Sequence, residues 1–200
     1  MAKPSHRDKI LTEGLKVVHE RGFAGASVRD IVQAAGVPQG SFTNHFVSKE
    51  MFGLEILDRY ALNNQPMLDD TLLNQALSPL ARLRSYFDWH QDFLQKGCLK
   101  NGCLFGNFAA EASEHSEIIR TRLVEIFASL QHTIADCLVQ AITAGELPKK
   151  FECEKTALFI VSSLQGAMLM GKAQRTTEPL QSLIHILFNN LLQAGPTQAV

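Results

Sequence analysis

Residues 27–49, SVRDIVQAAGVPQGSFTNHFVSK, parse as two short helices joined by a tight turn, and the rest of the chain is read outward from them. Ser27 is placed as an N-cap whose side chain satisfies an orphan backbone N–H, with Asp30 three residues on to close a capping box. Val28, Ile31, Val32 and Ala35 recur at three and four residues, which gives one apolar helical face. Gly36 supplies the left-handed residue that ends this helix. Pro38 suits the first turn of a second helix, where its missing N–H removes nothing. Phe42 and Phe46, four apart, turn that helix inward and leave Gln39, Gly40, Ser41, Thr43, Asn44 and His45 facing outward. A short helix that presents small, neutral hydrogen-bonding side chains is suited to reading base edges in a major groove.

The bulk properties set the frame. Two hundred residues, 46% of them hydrophobic, suffice for one helical body and a small appended module. There is no run of about 18 uninterrupted apolar residues, and no basic start leads into an apolar core. The expectation is a soluble, cytoplasmic protein with no membrane partner. The cysteines at 98, 103, 137 and 153 have neither the density nor the pairing of a disulfide scaffold and are expected as reduced thiols. Net charge is −1, which excludes a generally basic coat, yet residues 1–49 hold seven Lys/Arg against four Asp/Glu, leaving −4 for the remainder. The positive segment is the one with the two short helices, where phosphate would need neutralising. A bias of this size is also within the ordinary spread of solvated charge.

Elsewhere the pattern is helical throughout, with no strand alternation and no repeat of 20 to 50 residues. Residues 5–21 form a first helix stopped at Gly22, and 48 to about 64 a fourth, capped by Ser48 and apolar on more than one face. Leu80, Leu83, Phe87, Gln91 and Leu94 mark a helix ending at Gly97. A short helix with Leu104, Phe105, Phe108 and Ala112 follows, then a long one from Ile119 to Ala141 that stops at Gly145 ahead of Pro148. The last two, 152–174 and 178–194, are apolar over much of their circumference, the second ending at Gly195. Ser162, Ser163, Gly166, Ala167 and Gly171 permit close helix approach. A stripe running from Leu180 to Leu192 is wider than one intramolecular neighbour needs, and the surplus points to a second copy of the chain.

The segment GFAGASVRDIVQAAGVPQGSFTNHFVSKE resembles the N-terminal helix-turn-helix of the TetR family of transcriptional regulators. The match runs through Gly22, Phe23, Ser27, Val28, Ile31, Ala35, Gly36, Val37, Gly40, Phe42, His45, Phe46 and Lys49; position 43, Tyr in the family pattern, is Thr here. The resemblance implies an all-α protein with a three-helix DNA-binding domain over 6–66 and a ligand-sensing, dimerising bundle over 67–200. It implies dimerisation through helices 152–174 and 178–194, and a palindromic double-stranded operator. Carried over residue by residue, Gln39, Gly40, Ser41, Thr43, Asn44 and His45 face bases or groove, while Ser27, Arg29 and Lys49 favour phosphates.

The C-terminal body is implied to hold a cavity for a small-molecule inducer. Tyr86, Phe87, Trp89, His90, Phe93, Phe105, Phe108, Phe127, Phe159 and Met168 are apolar enough to line one, and equally fit to be core. The stretch GCLKNGCLFGNFAAE resembles, at Gly102, Cys103, Leu104, Ala110 and Glu111, a TetR subgroup that includes cysteine-based sensors of oxidants and electrophiles. Cys103 falls at a helix N-terminus, whose dipole favours thiolate. Lys172 lies near the end of an apolar helix, and its approach to Cys103 would make that thiolate reactive; an inert cysteine and a snorkelling lysine are the alternative. Cys98 and Cys103 with His90 and His115 match no common zinc spacing, so no metal and no cofactor is expected. No phosphate loop, His-Glu-x-x-His or nucleophile elbow is present, and the chain is not expected to be an enzyme. The rival is an all-helical enzyme or carrier whose N-terminal helices are merely structural.

Overall fold

The structure is a computed structural model that describes residues 5–96 and 98–193. Its elements are α1 (His6–Arg21), α2 (Val28–Ala34), α3 (Gly40–His45), α4 (Lys49–Asp70), α5 (Pro79–Gln95), a 3₁₀ turn (Cys98–Lys100), α6 (Leu104–Ala112), α7 (Glu117–Thr143), α8 (Cys153–Gln174) and α9 (Glu178–Ile186). A wider, π-type turn, Leu187–Leu191, continues α9 and is closed by the Leu192 N–H donating to the Leu187 carbonyl at 2.9 Å. No strand occurs among the described residues, in agreement with the all-α expectation. The expected stops at Gly97 and Gly195, and the side chain of Cys98, lie outside the described residues.

These helices form two compact units. One runs up to Asn63 and takes in Cys103–Ile126; the other comprises Asn64–Gly102 and the chain from Phe127 onward. Helix α4 was expected to stop near residue 64, yet it continues to Asp70 with Pro66 inside it. Proline normally interrupts a helix, because its ring blocks one backbone bond and crowds the turn before it.

In the first unit, α2 and α3 are each too short to be stable alone and depend on packing against α1 and each other. Ile10, Val18, Ile31, Phe52 and Ile56 are fully buried. The rings of Phe42, Phe46 and Phe52 make a triangle with centroid separations of 5.1, 5.3 and 5.2 Å, which joins α3 to α4. Helix α6 joins the same unit through Phe108, whose ring lies 4.8 Å from Phe23. Two polar ties link α7 and the residue just before it to α4: Arg122 with Asp58 at 2.8 Å, and the Ser116 hydroxyl with the Glu50 carboxylate.

In the second unit α8 packs on α9, and α9 on α5. The α9 stripe is largely internal, with Leu180, Leu183, Ile184 and Leu187 buried. Sequence periodicity did not anticipate Arg82, which is buried among apolar residues of α5. Its guanidinium donates to the Gln140 side-chain oxygen at 2.7 Å and to the Leu72 carbonyl at 3.5 Å, so a polar partner on α7 makes that burial tolerable. Among the described residues α8 alone is long and apolar enough, by length and composition, to cross a membrane. Its Ala157, Ile160, Leu164 and Met168 are buried.

Replacing Phe52 by Ala removes the ring shared by α3 and α4. It is expected to cost about 3–5 kcal/mol in a denaturant melt; a loss below about 1 kcal/mol would mean that other contacts hold α3 in place.

Candidate nucleic-acid interface

The reading module is built by local hydrogen bonds. The Ser27 hydroxyl accepts the Asp30 N–H at 3.1 Å and the Asp30 carboxylate accepts the Ser27 N–H at 3.0 Å, a complete capping box for α2. The Ser27 side chain, then its backbone N–H, hold the Asp30 carboxyl below the usual range, and Arg21 pairs with it at 2.8 Å. At the other end Gly36 adopts φ +62°. The Val37 N–H reaches the Val32 carbonyl at 3.1 Å and the Gly36 N–H the Gln33 carbonyl at 3.1 Å, so the turn into α3 is a Schellman stop. Gln39 is the N-cap residue of α3, and the helix begins at Gly40.

Gln39, Gly40, Thr43, Asn44 and His45 are exposed, as their spacing predicted. Thr43 is partly occupied, its hydroxyl donating to the Gly40 carbonyl at 3.1 Å. Ser41 departs from the expectation: it is buried, 7% exposed, with its hydroxyl 3.4 Å from His6 Nδ1. The reason is register, since Ser41 and Phe42 are neighbours on the side of α3 that meets α1. Ser27 and Arg29 are exposed on α2. Val47, immediately past α3, is 97% exposed and was not singled out from the sequence, where no pattern separates an apolar loop residue from a core one.

Lys49 sits in a more structured setting than a surface lysine. Its ammonium lies 4.8 Å from the centre of the Phe23 ring and 3.4 Å from the Ala24 carbonyl. Burial pulls its pKa down, and the charge of Glu111 opposes that shift. Glu111 itself accepts the Ala24 N–H at 3.0 Å.

The residues expected to sense a ligand divide between the units. In the first, Cys103 is the half-buried N-cap residue of α6, Phe108 is buried against Phe23, and Phe105 packs edge-on to Tyr60 at 4.9 Å. In the second, Trp89 stacks on Phe93 at 5.1 Å, Met168 is buried, and Lys172 is half-buried in the last turn of α8. Phe159, grouped with them by sequence, is 45% exposed and lies outside the buried core. His90 Nδ1 lies 2.9 Å from the Tyr86 carbonyl, which can only accept, so Nδ1 carries the proton and Nε2 is the acceptor of the neutral ring. Burial pulls its pKa down to about 4. The Gln165 side-chain oxygen on α8 is buried with no hydrogen-bond partner among the described residues. Burial likewise pushes the Cys137 and Cys153 thiols up, away from thiolate reactivity.

Comparison with known proteins gives a consistent picture. Residues 10–56 match the model for bacterial regulatory proteins of the tetR family, and 79–187 match the tetracyclin repressor-like C-terminal domain. The chain is 35% identical over 192 residues to the HTH-type transcriptional repressor DhaR of Mycobacterium sp. (strain GP1), covering 96% of this chain and 95% of the relative. It superposes on a TetR regulatory protein from Rhodobacter sphaeroides with TM-score 0.84 at 28% identity, over 92% of this chain and 96% of that one. The reduced form of NemR from E. coli gives TM-score 0.85 at 26% identity, over 96% and 98% respectively.

The His90 geometry has a pH consequence. Its folded pKa lies below the ordinary value of 6.5, so the unfolded chain binds more protons between pH 6.5 and 4. Stability is therefore complete above that window and expected to fall through it on acidification, by at most about 1.4 kcal/mol per pH unit. Melts across the window should show a slope that His90→Gln removes; an unchanged slope would place the titration elsewhere.

Proposed function

This chain belongs to the TetR family of bacterial regulatory proteins, and we propose that it works as a homodimeric repressor that leaves a palindromic operator when a small ligand or electrophile acts on it. It is a DNA-binding transcriptional regulator rather than an enzyme, as the family models and relatives are. The helical-enzyme alternative is accordingly set aside. The observation that carries the rest is the outward face of α3, where Gln39, Thr43, Asn44 and His45 stand exposed on a helix whose opposite side is pinned by Phe42 and Phe46. Asn44 or Gln39 has the donor and acceptor pair needed to read adenine bidentately. Ser27, Arg29 and Lys49 serve the phosphates, and buried Ser41 supports the helix rather than reading DNA.

The second copy is supported by α8. Leu158, Phe159, Leu169 and Met170 are exposed, and Ser162 and Gly166 lie between them on the same face. Apolar side chains flanking small ones form a flat strip suited to an equivalent helix related by a two-fold axis. Ile186 and Leu191, after α8, are exposed as well. A two-fold dimer then presents two α3 helices to successive major grooves. The functional domains are 6–66 for DNA and 67–200 for sensing and dimerisation, with α6 and the start of α7 packed into the DNA-binding unit.

Two routes of release are carried. A small ligand would meet the neutral Nε2 of His90 and the Gln165 side-chain oxygen, which has no hydrogen-bond partner among the described residues, with Trp89 and Met168 of the same unit as apolar surroundings. Modification of Cys103 is the other, favoured by its place at the α6 N-terminus and by the likeness to a relative solved in a reduced form.

Asn44→Ala is expected to weaken operator binding by about 1–3 kcal/mol and binding to random duplex less, measured by electrophoretic shift across a salt series; equal losses would make Asn44 a backbone contact. Leu169→Glu with Phe159→Glu is expected to give monomers in sedimentation and to abolish tight operator binding, and a dimer that survives would move the interface elsewhere. Maleimide or hypochlorite treatment should release DNA from the unaltered protein but not from Cys103→Ser; release from both excludes that thiol.

A further inference from the structure

The corner where α1 ends, α2 begins and α4 begins is held by one carboxylate from α6. Glu111 accepts the Ala24 N–H at 3.0 Å, while the Ala24 carbonyl, on the far side of the same residue, accepts the Lys49 ammonium at 3.4 Å. The approach is close because position 22 has no side chain: a Cβ there would lie 2.5 Å from one Glu111 oxygen and 2.7 Å from the other. Gly22 also holds φ +80°, a conformation that side chains rarely adopt, so the residue serves both the turn and the contact. The Phe108 ring on Phe23 fixes α6 in this register, and the Lys49 ammonium covers the Phe23 ring at 4.8 Å. A single negative group therefore acts on the turn before α2 and on the cation assigned to phosphate.

We infer that Glu111 is a positioning residue for DNA binding, a built-in competitor that holds Lys49 back against the Phe23–Ala24 turn and that operator phosphate must displace. The inference rests on the DNA-binding reading above. Lys49 and Glu111 grip opposite sides of Ala24, and while partial burial pulls the Lys49 pKa down, the charge of Glu111 acts in the opposite direction. A phosphate arriving at Lys49 meets an ammonium already partly neutralised, so the carboxylate lowers the attraction of the whole head for DNA of any sequence. It also makes that attraction depend on the placement of α6, since Glu111 moves only with that helix.

The test uses the full chain and four proteins: unaltered, Glu111→Gln, Lys49→Met and the double variant. Gln keeps an oxygen for the Ala24 N–H and removes the charge. Glu111→Gln is expected to tighten operator and random duplex alike, by about three- to tenfold, and to steepen the salt dependence by about one phosphate contact. Lys49→Met weakens both duplexes, and in that background Glu111→Gln should change affinity by less than about twofold. Tightening of equal size with and without Lys49, or weakening by Glu111→Gln, overturns the proposal. Independently of DNA, a titration of the Lys49 side chain by carbon-13 NMR should give a lower pKa in Glu111→Gln than in the unaltered protein. An unchanged pKa refutes the Glu111 assignment whatever the DNA result, whereas a lowered pKa in a chain without salt-dependent DNA binding would refute the DNA reading alone.

Discussion

Helix α3 has six residues and no side-chain cap, so nothing local makes it a helix. It exists because Phe42 and Phe46 close on Phe52 of α4, three buried rings within 5.3 Å of one another. That one cluster decides which side of α3 faces water, and so which of its polar residues can meet another molecule. The Schellman stop at Gly36 and the capping box at Ser27 set the angle at which α2 hands the chain over. The aromatic triangle sets the depth. Had the rings faced elsewhere, the same residues from Gln39 to His45 would have been ordinary helix surface or ordinary core.

A second constraint acts through α6. This nine-residue helix has the Cys103 thiol at one end and Glu111 near the other, and Phe108 between them anchors it on Phe23. The turn between α1 and α2 is therefore not a free loop. Its backbone N–H at Ala24 is held by Glu111 and its carbonyl by Lys49, which places opposite charges on the two sides of one residue.

Helix α8 shows how composition alone misleads. By length and apolarity it passes for a membrane span, but Ala157, Ile160, Leu164 and Met168 are buried in the fold. The opposite face carries Leu158, Phe159, Leu169 and Met170 around Ser162 and Gly166, and is exposed. Periodicity assigned a surplus of apolar surface to the α9 stripe, where Leu180, Leu183, Ile184 and Leu187 prove to be buried. Tertiary packing puts the α9 stripe inside and leaves the surplus mainly on α8, because α9 is needed to cover both α8 and α5.

What the sequence determined by itself was whatever depends on neighbours along the chain. The capping box of Ser27 and Asp30, the left-handed stop at Gly36, the Phe42–Phe46 pair and the N-cap place of Cys103 all follow from spacings of three or four residues, and the family pattern is written in the same spacings. Only the tertiary structure decided the rest. Ser41 turns inward to His6, 35 positions away; Arg82 is buried because Gln140 waits for it on another helix; and Glu111 reaches Ala24 across 87 residues. The physical reason is common to all three. A polar group's cost or use in a fold is set by the partner that packing brings to it, and no periodicity records a partner that distant in the chain.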